Sequence, residues 1–406
     1  MTSHLTRWSL AICLLTLGLA AAYAPPVRAD GCAQRRDDDP EPKDKKKKKK
    51  SSKSGKSAKG KSDKDGDKGS KRKKSDEDHL KPFPSGIRED LFKAYVGDGF
   101  KVHRTDHFTV LYDADKEIVR DFITRLERTY ESVHRFAAKA GIEIHYPEEK
   151  LIVIFCRSYD EFDRLNKQIV GQSVPPNVAG LYWSHPINFS IFYDFAKSRP
   201  VLEVMAKVER LQEEARKAKD RATRKAKSRE ARFYLNYLNS MQDSQNRSVV
   251  QHEVTHQLMF NFQVHAVPGP NPQWFAEGLA TQFEPPPGKM GAGSAVINQR
   301  RLQVFREAYE KGGLDLRQFV AKHTPTSGML SDEGYAVSWA LTNYLIRRKK
   351  ESLQKYITLI KERDPAEPFT PDEAVELFEG CFGKLDERFQ SKFRKYTMKL
   401  PYRPSR

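Results

Sequence analysis

The sequence predicts an α+β fold in which a small mixed sheet with helices is followed by a helical subdomain. Three observations support this fold class. All strand-like segments of the 406-residue chain lie between residues 108 and 193. A helix with an apolar stripe at four-residue spacing follows them, formed by Val250, Val254 and Leu258. After that helix only helical patterns remain, so we expect it to lie between the sheet and the helical subdomain.

The sheet-containing part is expected to span residues 87–200. Alternating or continuous apolar runs predict its strands, and glycines and hydroxyl side chains mark the ends of its helices. The segments at 180–183 and 189–193 flank a turn and predict a hairpin. The predicted elements are strands at 108–112, 151–155, 180–183 and 189–193, a helix at 118–140 that ends at Gly141, and a helix capped by Ser158.

Residues 201–240 are predicted to form a charged helical insertion. Opposite charges recur four residues apart along 201–238, as in Glu213 and Lys217. This pattern is typical of a solvated arm, and a face that binds a partner or a polyanion is the alternative. Zinc-site helices are expected at 241–284 and a helical part at 285–406. Its helices are predicted at 297–311, 314–322, 332–348, 351–362, 372–378 and 385–398.

The amino-terminal residues 1–29 are typical of a secretory signal peptide. Arg7 precedes an apolar run at 8–22, and a small-residue site follows at 27–29. No other stretch is apolar enough to span a bilayer, so we expect no transmembrane segment in the mature protein. The protein is therefore expected to be exported, to the periplasm, the cell surface or the medium. Whether Cys156 pairs with Cys381 there is left open by the sequence.

Residues 30–86 are predicted to be a disordered, Lys-rich tether. Residues 31–86 carry 20 Lys and Arg against 11 Asp and Glu, so the tail supplies a net +9, half of the formal +18 of the chain. Because the charge is mostly a property of the tail, no specific nucleic-acid partner is expected. An anionic envelope polymer is a candidate partner of the tail, and a solvated spacer is the alternative.

The motif with clear chemical meaning is His252-Glu253-Val254-Thr255-His256. Two histidines four residues apart on a helix project from one face, with Cβ atoms about 5–6 Å apart. At that separation both imidazoles can bind one zinc ion. A catalytic zinc site takes three protein ligands and leaves a fourth position for water. The sequence must therefore supply a third ligand.

A second motif, Trp-Phe-Ala-Glu-Gly-Leu-Ala at 274–280, supplies that ligand as Glu277. Asn271 is expected to cap this second helix and Pro272 to occupy its first position, which places Glu277 in the second turn. Two helices joined by a short proline-containing loop can pack so that the carboxylate faces the histidines. The two motifs together predict one metal site.

The paired motifs resemble those of the gluzincins, zinc metallopeptidases built on His-Glu-x-x-His and a glutamate on the following helix. The chain is most similar to an uncharacterised peptidase-MA-like family of exported bacterial proteins, over roughly residues 108–348. The resemblance implies a zincin-like fold, one zinc ion per chain bound by His252, His256 and Glu277, and a peptide or protein substrate. It also implies that an edge strand, for which the hairpin is the candidate, pairs with extended substrate. Many gluzincins support the ligands with an acidic residue where this chain has Thr281.

Glu253 and Tyr335 are the candidate catalytic residues. Glu253 is expected to act as general base toward the water at the metal and to pass the proton to the leaving amine. By resemblance, Tyr335 is our candidate for stabilising the oxyanion of the transition state. Ser331 can cap its helix and Gly334 leaves space beside it. A role as a core aromatic is the alternative for Tyr335, and His323 is the alternative donor.

The sequence therefore predicts an exported zinc-dependent peptidase. An endopeptidase is favoured because no Gly-x-Met-x-Asn motif of zinc aminopeptidases is present. Two interpretations from other classes remain open. One is a catalytically silent, metal-retaining envelope binding module that acts through its basic tail and charged helix. The other is a polyanion-binding protein with structural zinc, which requires a fourth protein ligand.

Overall fold

The computed structural model describes residues 81–266, 269, 271–285, 296–324 and 330–403, without the side chains of 240–245 and 312. The predicted signal peptide at 1–29 and residues 30–80 of the predicted tether lie outside the described residues. Residues 81–86 were assigned to the tether from the sequence but belong to the fold. Phe83 is buried, and its ring packs edge-on against the rings of His107 and Tyr130. This aromatic contact places the start of the fold before residue 86.

The fold is α+β, as predicted, and its sheet has five strands in the order β1-β2-β3-β5-β4. β2, β3 and β5 run parallel, whereas β1 and β4 pair antiparallel at the two edges. The predicted hairpin is therefore confirmed as β4 and β5, and β4 is an edge strand. β1 was not predicted from the sequence. The strands are β1 Lys101–Arg104, β2 Phe108–Tyr112, β3 Leu151–Cys156, β4 Gly180–Trp183 and β5 Phe189–Tyr193.

Three helices accompany the first strands: α1 Arg88–Val96, α2 Lys116–Ala140 and α3 Tyr159–Val170. α2 ends at Gly141 in the left-handed conformation, with φ of 68°, as the sequence predicts for a glycine C-cap. Ser158 caps α3 by accepting a hydrogen bond from the Glu161 N–H. β3 is buried along its whole length, as expected for a central strand covered on both faces.

The charged segment folds as two antiparallel helices instead of one. α4 spans Arg199–Lys217 and α5 spans Arg221–Asn261. The break follows from Asp220, whose side chain accepts a hydrogen bond from the Thr223 N–H and so starts a new helix. α5 is 41 residues long and includes the His-Glu-x-x-His motif. The charged arm and the motif therefore share one helix.

A buried glutamine fixes α5 against the sheet. Gln257 donates from Nε2 to the Ile152 carbonyl at 3.0 Å and accepts from Ser190 Oγ at 2.9 Å. These two bonds reach β3 and β5. Because Gln257 follows His256 directly, the bonds also set the rotation of the helix at the predicted metal ligands.

Seven helices complete the described part of the chain, and the predicted helices after residue 296 are confirmed with boundaries shifted by a few residues. α6 packs against α9, whose Trp339 is fully buried. The seven are α6 Gln273–Ala280, α7 Gln299–Gly312, α8 Leu316–Lys322, α9 Asp332–Arg348, α10 Lys350–Lys361, α11 Pro371–Phe382 and α12 Glu387–Met398.

The structure answers the question about cysteine pairing. Cys156 is buried in β3, Cys381 is half-buried in α11, and both are free thiols. Among the described residues, none of the helices has the length and apolar character needed to cross a bilayer.

We expect Gly278→Ala to destabilise the protein, because α6 and α9 touch at this glycine. A Cβ atom there would collide with Thr342 Oγ1 and lie 2.6 Å from the Ser338 carbonyl oxygen. Overpacking of this kind typically costs about 1–3 kcal/mol, measurable by urea denaturation. The matched control is Gly380→Ala in α11, where a Cβ atom meets nothing within 4 Å. It should be neutral or stabilising by up to about 1 kcal/mol. Equal stability of the two variants would show that α6 and α9 are not in close contact.

Candidate metal centre

The ligand atoms of His252, His256 and Glu277 converge in the buried space between α5 and α6. All three lie within 4.8 Å of one another. The Nε2 atoms of the two imidazoles are 3.1 Å apart, and Glu277 Oε2 lies 3.1 Å from one and 3.3 Å from the other. A tetrahedral ion with bonds of roughly 2.0–2.1 Å separates its ligands by about 3.3 Å. The three atoms therefore already have the spacing that a small metal ion requires.

The helix that carries Glu277 begins differently from the prediction. Pro272 is the N-cap residue of α6, and no side chain caps this helix. Asn271, predicted as the cap, instead accepts a hydrogen bond from the Ala266 N–H and donates one to the Ala266 carbonyl, at 2.9 Å each. Asn271 thus fastens the end of the connecting loop to its beginning, which shortens the turn between α5 and α6. Glu277 still lies in the second turn, as predicted.

His252 lies between two buried carboxylates. Its Nε2 faces Glu277, and its Nδ1 lies 3.2 Å from Glu284 Oε1. Burial alone would lower the pKa of His252, but the hydrogen bonds to these two carboxylates raise it to about 10. Burial alone would likewise raise the pKa of Glu277, but His256 and His252 hold it well below its usual range. A metal ion that binds Nε2 must displace the imidazole proton, so metal uptake is coupled to proton release.

Glu284 has the supporting role that the sequence could not place. Its two oxygens accept hydrogen bonds from Arg301 Nε and Nη2 at 3.0 and 2.8 Å, and Asn298 Nδ2 donates to Oε2 at 2.7 Å. Arg301 also contacts Asp332 at the start of α9. Burial would raise the pKa of Glu284, but Arg301 and His252 hold it well below its usual range. A charged carboxylate at Nδ1–H keeps the proton on that nitrogen, so that Nε2 is the atom that could bind a metal ion.

Thr281 does not support the ligands. Its hydroxyl donates to the Gly278 carbonyl within its own helix at 2.9 Å. The position at which many gluzincins have an acidic residue is therefore structural in this chain. Glu284, three residues further on and beyond the end of α6, is the acidic residue that approaches His252.

Glu253 is buried beside the three ligands and is held by the edge strand. Its Oε2 accepts a hydrogen bond from the Tyr182 backbone N–H of β4 at 3.0 Å. Its Oε1 is buried without a hydrogen-bond partner in the described structure. Burial, together with the charges of Glu277 and Glu284, raises the pKa of Glu253 to about 8, against the lowering effect of His252. One oxygen thus positions the side chain, and the other is available to exchange a proton.

Tyr335 lies next to this cluster, as predicted. Ser331 caps α9 by accepting a hydrogen bond from the Gly334 N–H at 3.1 Å, which places Tyr335 in the first turns of the helix. The Tyr335 ring is 6.1 Å from the His252 ring, and the Arg301 guanidinium lies 5.0 Å from its centre. None of His252, Glu253, His256, Glu277 and Tyr335 is more than 3 % exposed.

His323, the alternative donor, lies elsewhere. Its ring packs on Phe319 with centroids 4.6 Å apart, and its carbonyl accepts a hydrogen bond from the Gln273 N–H. No described contact links its imidazole to the three ligands.

His265, for which the sequence predicts a surface or core position, is a buried residue near the site. It follows the end of α5 and lies between the rings of Phe260 and Phe275. Neither ring nitrogen has a hydrogen-bond partner among the described residues. Burial and the charge of His256 lower the pKa of His265 to about 3, so this imidazole is neutral.

Comparison with known protein families gives one match. Residues 246–367 match the family model described as "Protein of unknown function (DUF1570)". The matched region runs from the second half of α5 through α10, and it includes Glu253, the three candidate metal ligands and Tyr335. It also includes Glu284 and Arg301. A search of curated proteins gave no match.

We expect Glu284→Gln to weaken metal binding by roughly 10–100-fold. Glutamine keeps the shape but removes the charge that orients His252 and pairs with Arg301. Chelator competition followed by metal analysis measures the change. Thr281→Val is the matched control. Thr281 is buried on the same segment, but its hydroxyl bonds to the Gly278 carbonyl and not to the candidate ligands. Equal metal affinities of Glu284→Gln and the unaltered protein would show that Glu284 does not support metal binding.

Proposed function

We propose that this protein is an exported zinc-dependent peptidase of the gluzincin type. The observation that carries the proposal is the buried cluster of His252, His256 and Glu277 with the Glu253 carboxylate beside it. Exopeptidase and endopeptidase activities both need this arrangement, and the lack of an aminopeptidase motif favours an endopeptidase. Export rests on the signal-like residues 1–29.

The donor set fits zinc. Two imidazole nitrogens and one carboxylate oxygen are ligands that zinc binds in catalytic sites. Within the described residues, no fourth His, Cys, Asp or Glu joins the group. A structural zinc site is normally closed by four protein ligands, so the three-residue set favours catalysis over a structural role. Bound zinc would supply Lewis-acid polarisation of the scissile carbonyl and acidify water.

The protein side chains would manage the protons. Glu253 is held at Oε2 by the Tyr182 N–H, which leaves Oε1 to accept a proton from the attacking water and return it to the leaving amine. Burial raises the pKa of Glu253 when no cation is near, and a bound zinc ion would favour the charged carboxylate that accepts the proton. Tyr335 lies beside His252 and is the candidate for donating a hydrogen bond to the oxyanion.

The position of β4 supports an extended peptide as the substrate. β4 is an edge strand of the described sheet, and its Tyr182 N–H points away from β5 toward Glu253. An extended peptide can add to such an edge through main-chain hydrogen bonds. The chain of a bound peptide would then run past Glu253 and the metal ligands.

We expect Glu253→Gln to retain zinc and abolish peptide hydrolysis, because glutamine keeps the shape but cannot carry the proton. His252→Ala and His256→Ala should each lose zinc. Metal analysis, paired with digestion of an unfolded protein or a peptide library with and without chelator, measures both properties. Full activity in Glu253→Gln would reject the catalytic assignment. Zinc retention without any hydrolysis by the unaltered protein would instead favour the silent binding module.

We expect Tyr335→Phe to slow hydrolysis by roughly a hundredfold or more. The change removes only the hydroxyl, so zinc content and melting temperature should stay nearly constant. His323→Gln is the comparison variant, because its imidazole has no described contact with the ligands. Normal turnover in Tyr335→Phe together with slow turnover in His323→Gln would transfer the role to His323.

A further inference from the structure

The charged segment projects from the fold as a helical hairpin with a small apolar seam of its own. We call residues 199–239 the arm. Val208, Leu211 and Ala231 form a cluster separate from the main core, with Tyr234 packed against it. Lys227 pairs with Glu214 across the hairpin at 2.7 Å. Because the seam and this ion pair hold the two helices together, the outer faces of the arm have a defined geometry.

Five exposed residues of α5 follow one another at four-residue spacing and form what we call the arm ridge: Arg221, Lys225, Arg229, Phe233 and Tyr237. Residues with this spacing make a continuous ridge on a helix surface, here about 24 Å long and winding about 160° around the axis from its first residue to its last. Phe233 is 60 % exposed and Tyr237 is 48 % exposed. The ridge therefore presents three cations toward the tip of the arm and two aromatic rings nearer the body.

The cations of the ridge are available for an external partner. No ion pair among the described residues involves Arg221, Lys225 or Arg229. The neighbouring Arg216 and Lys217 pair with Glu213. The tip of the arm is nonetheless basic, with eight cations against four acidic residues between residues 213 and 230. The cations are Arg216, Lys217, Lys219, Arg221, Arg224, Lys225, Lys227 and Arg229, and the acidic residues are Glu213, Glu214, Asp220 and Glu230.

We propose that the arm ridge binds the surface of a bilayer that contains anionic lipids. Clusters of four to eight Lys and Arg on a helix are attracted to anionic headgroups. Exposed aromatic rings on such a helix enter the boundary between headgroups and acyl chains. The aromatic pair favours a bilayer over a soluble acidic polymer, because Phe233 has no polar atom for a polymer to bind. Arg229, Phe233 and Tyr237 lie within about 80° of one another around the helix axis and can face the bilayer together, and the cations nearer the tip approach its surface from the side.

The location of the ridge gives this contact a consequence for the metal centre. α5 runs without interruption from Arg221 to Asn261, so Tyr237 and His252 are separated by about 22 Å of one helix. Membrane binding by the arm would hold the metal centre at a fixed distance from the bilayer. This inference does not depend on whether the centre hydrolyses peptides.

Sedimentation of the full chain with vesicles tests the proposal. We expect binding to equimolar phosphatidylcholine and phosphatidylglycerol, and much weaker binding to phosphatidylcholine alone. Lys225→Glu with Arg229→Glu should weaken binding by at least roughly tenfold. The matched control is Arg388→Glu with Lys392→Glu, an equally spaced Arg and Lys pair exposed on α12. If the two double variants bind equally, the ridge is not the contact and the proposal is overturned.

A second pair of measurements separates a bilayer from a soluble polyanion. Phe233→Ser with Tyr237→Ser leaves the charge unaltered, and we expect weaker vesicle binding at high salt, where charge attraction is screened. The partner is a polyanion, and the lipid proposal fails, if two results occur together. Phe233→Ser with Tyr237→Ser binds vesicles as the unaltered protein does, and only Lys225→Glu with Arg229→Glu loses retention on heparin. Phe233→Trp places a fluorescent ring at this position, and its emission should shift to the blue when anionic vesicles are added. The emission of the buried Trp183, Trp274 and Trp339 should not change. An unshifted emission would contradict insertion of the ring.

Discussion

Two buried carboxylates, Glu277 and Glu284, lie on either side of the His252 imidazole, and the need to keep both of them charged constrains the whole centre. An isolated carboxylate in the interior would take up a proton. Glu277 is stabilised by the two imidazoles, whereas Glu284 is stabilised by Arg301 and Asn298. The imidazoles come from α5, Asn298 and Arg301 come from the start of α7, and Glu277 itself lies on α6. The three helices must therefore pack in one arrangement for the charges to balance.

The length of α5 explains how distant parts of the chain act on one site. Gln257 attaches the helix to β3 and β5, and Glu253 attaches it to β4 through the Tyr182 N–H. One face of α5 thus contacts the sheet, while His252 and His256 lie on the face toward α6. The same helix continues outward as half of the arm. No loop separates the arm from His252 and His256.

Local patterns were sufficient to predict the fold class and the clustering of His252, His256 and Glu277, but they did not predict the contacts made by other distant segments. Glu277 was predictable because a second motif with its own spacing marks it. The role of Glu284 depends on Arg301, which lies in a different helix beyond a Pro- and Gly-rich break, so no spacing along the chain indicates the pair. The break at Asp220 was missed because the charge pattern continues across it. Asn271 was assigned as a cap from residue type, but its side chain found backbone partners in the loop.

X-ray absorption at the zinc edge of zinc-loaded protein tests most directly whether His252, His256 and Glu277 bind one ion. We expect zinc to have nitrogen and oxygen ligands at roughly 2.0–2.2 Å, with scattering from two imidazole rings and no sulfur. The basis of this expectation is that the three candidate ligand atoms lie within 4.8 Å of one another. A shell of oxygen atoms without imidazole scattering, or one with sulfur at about 2.3 Å, would contradict it.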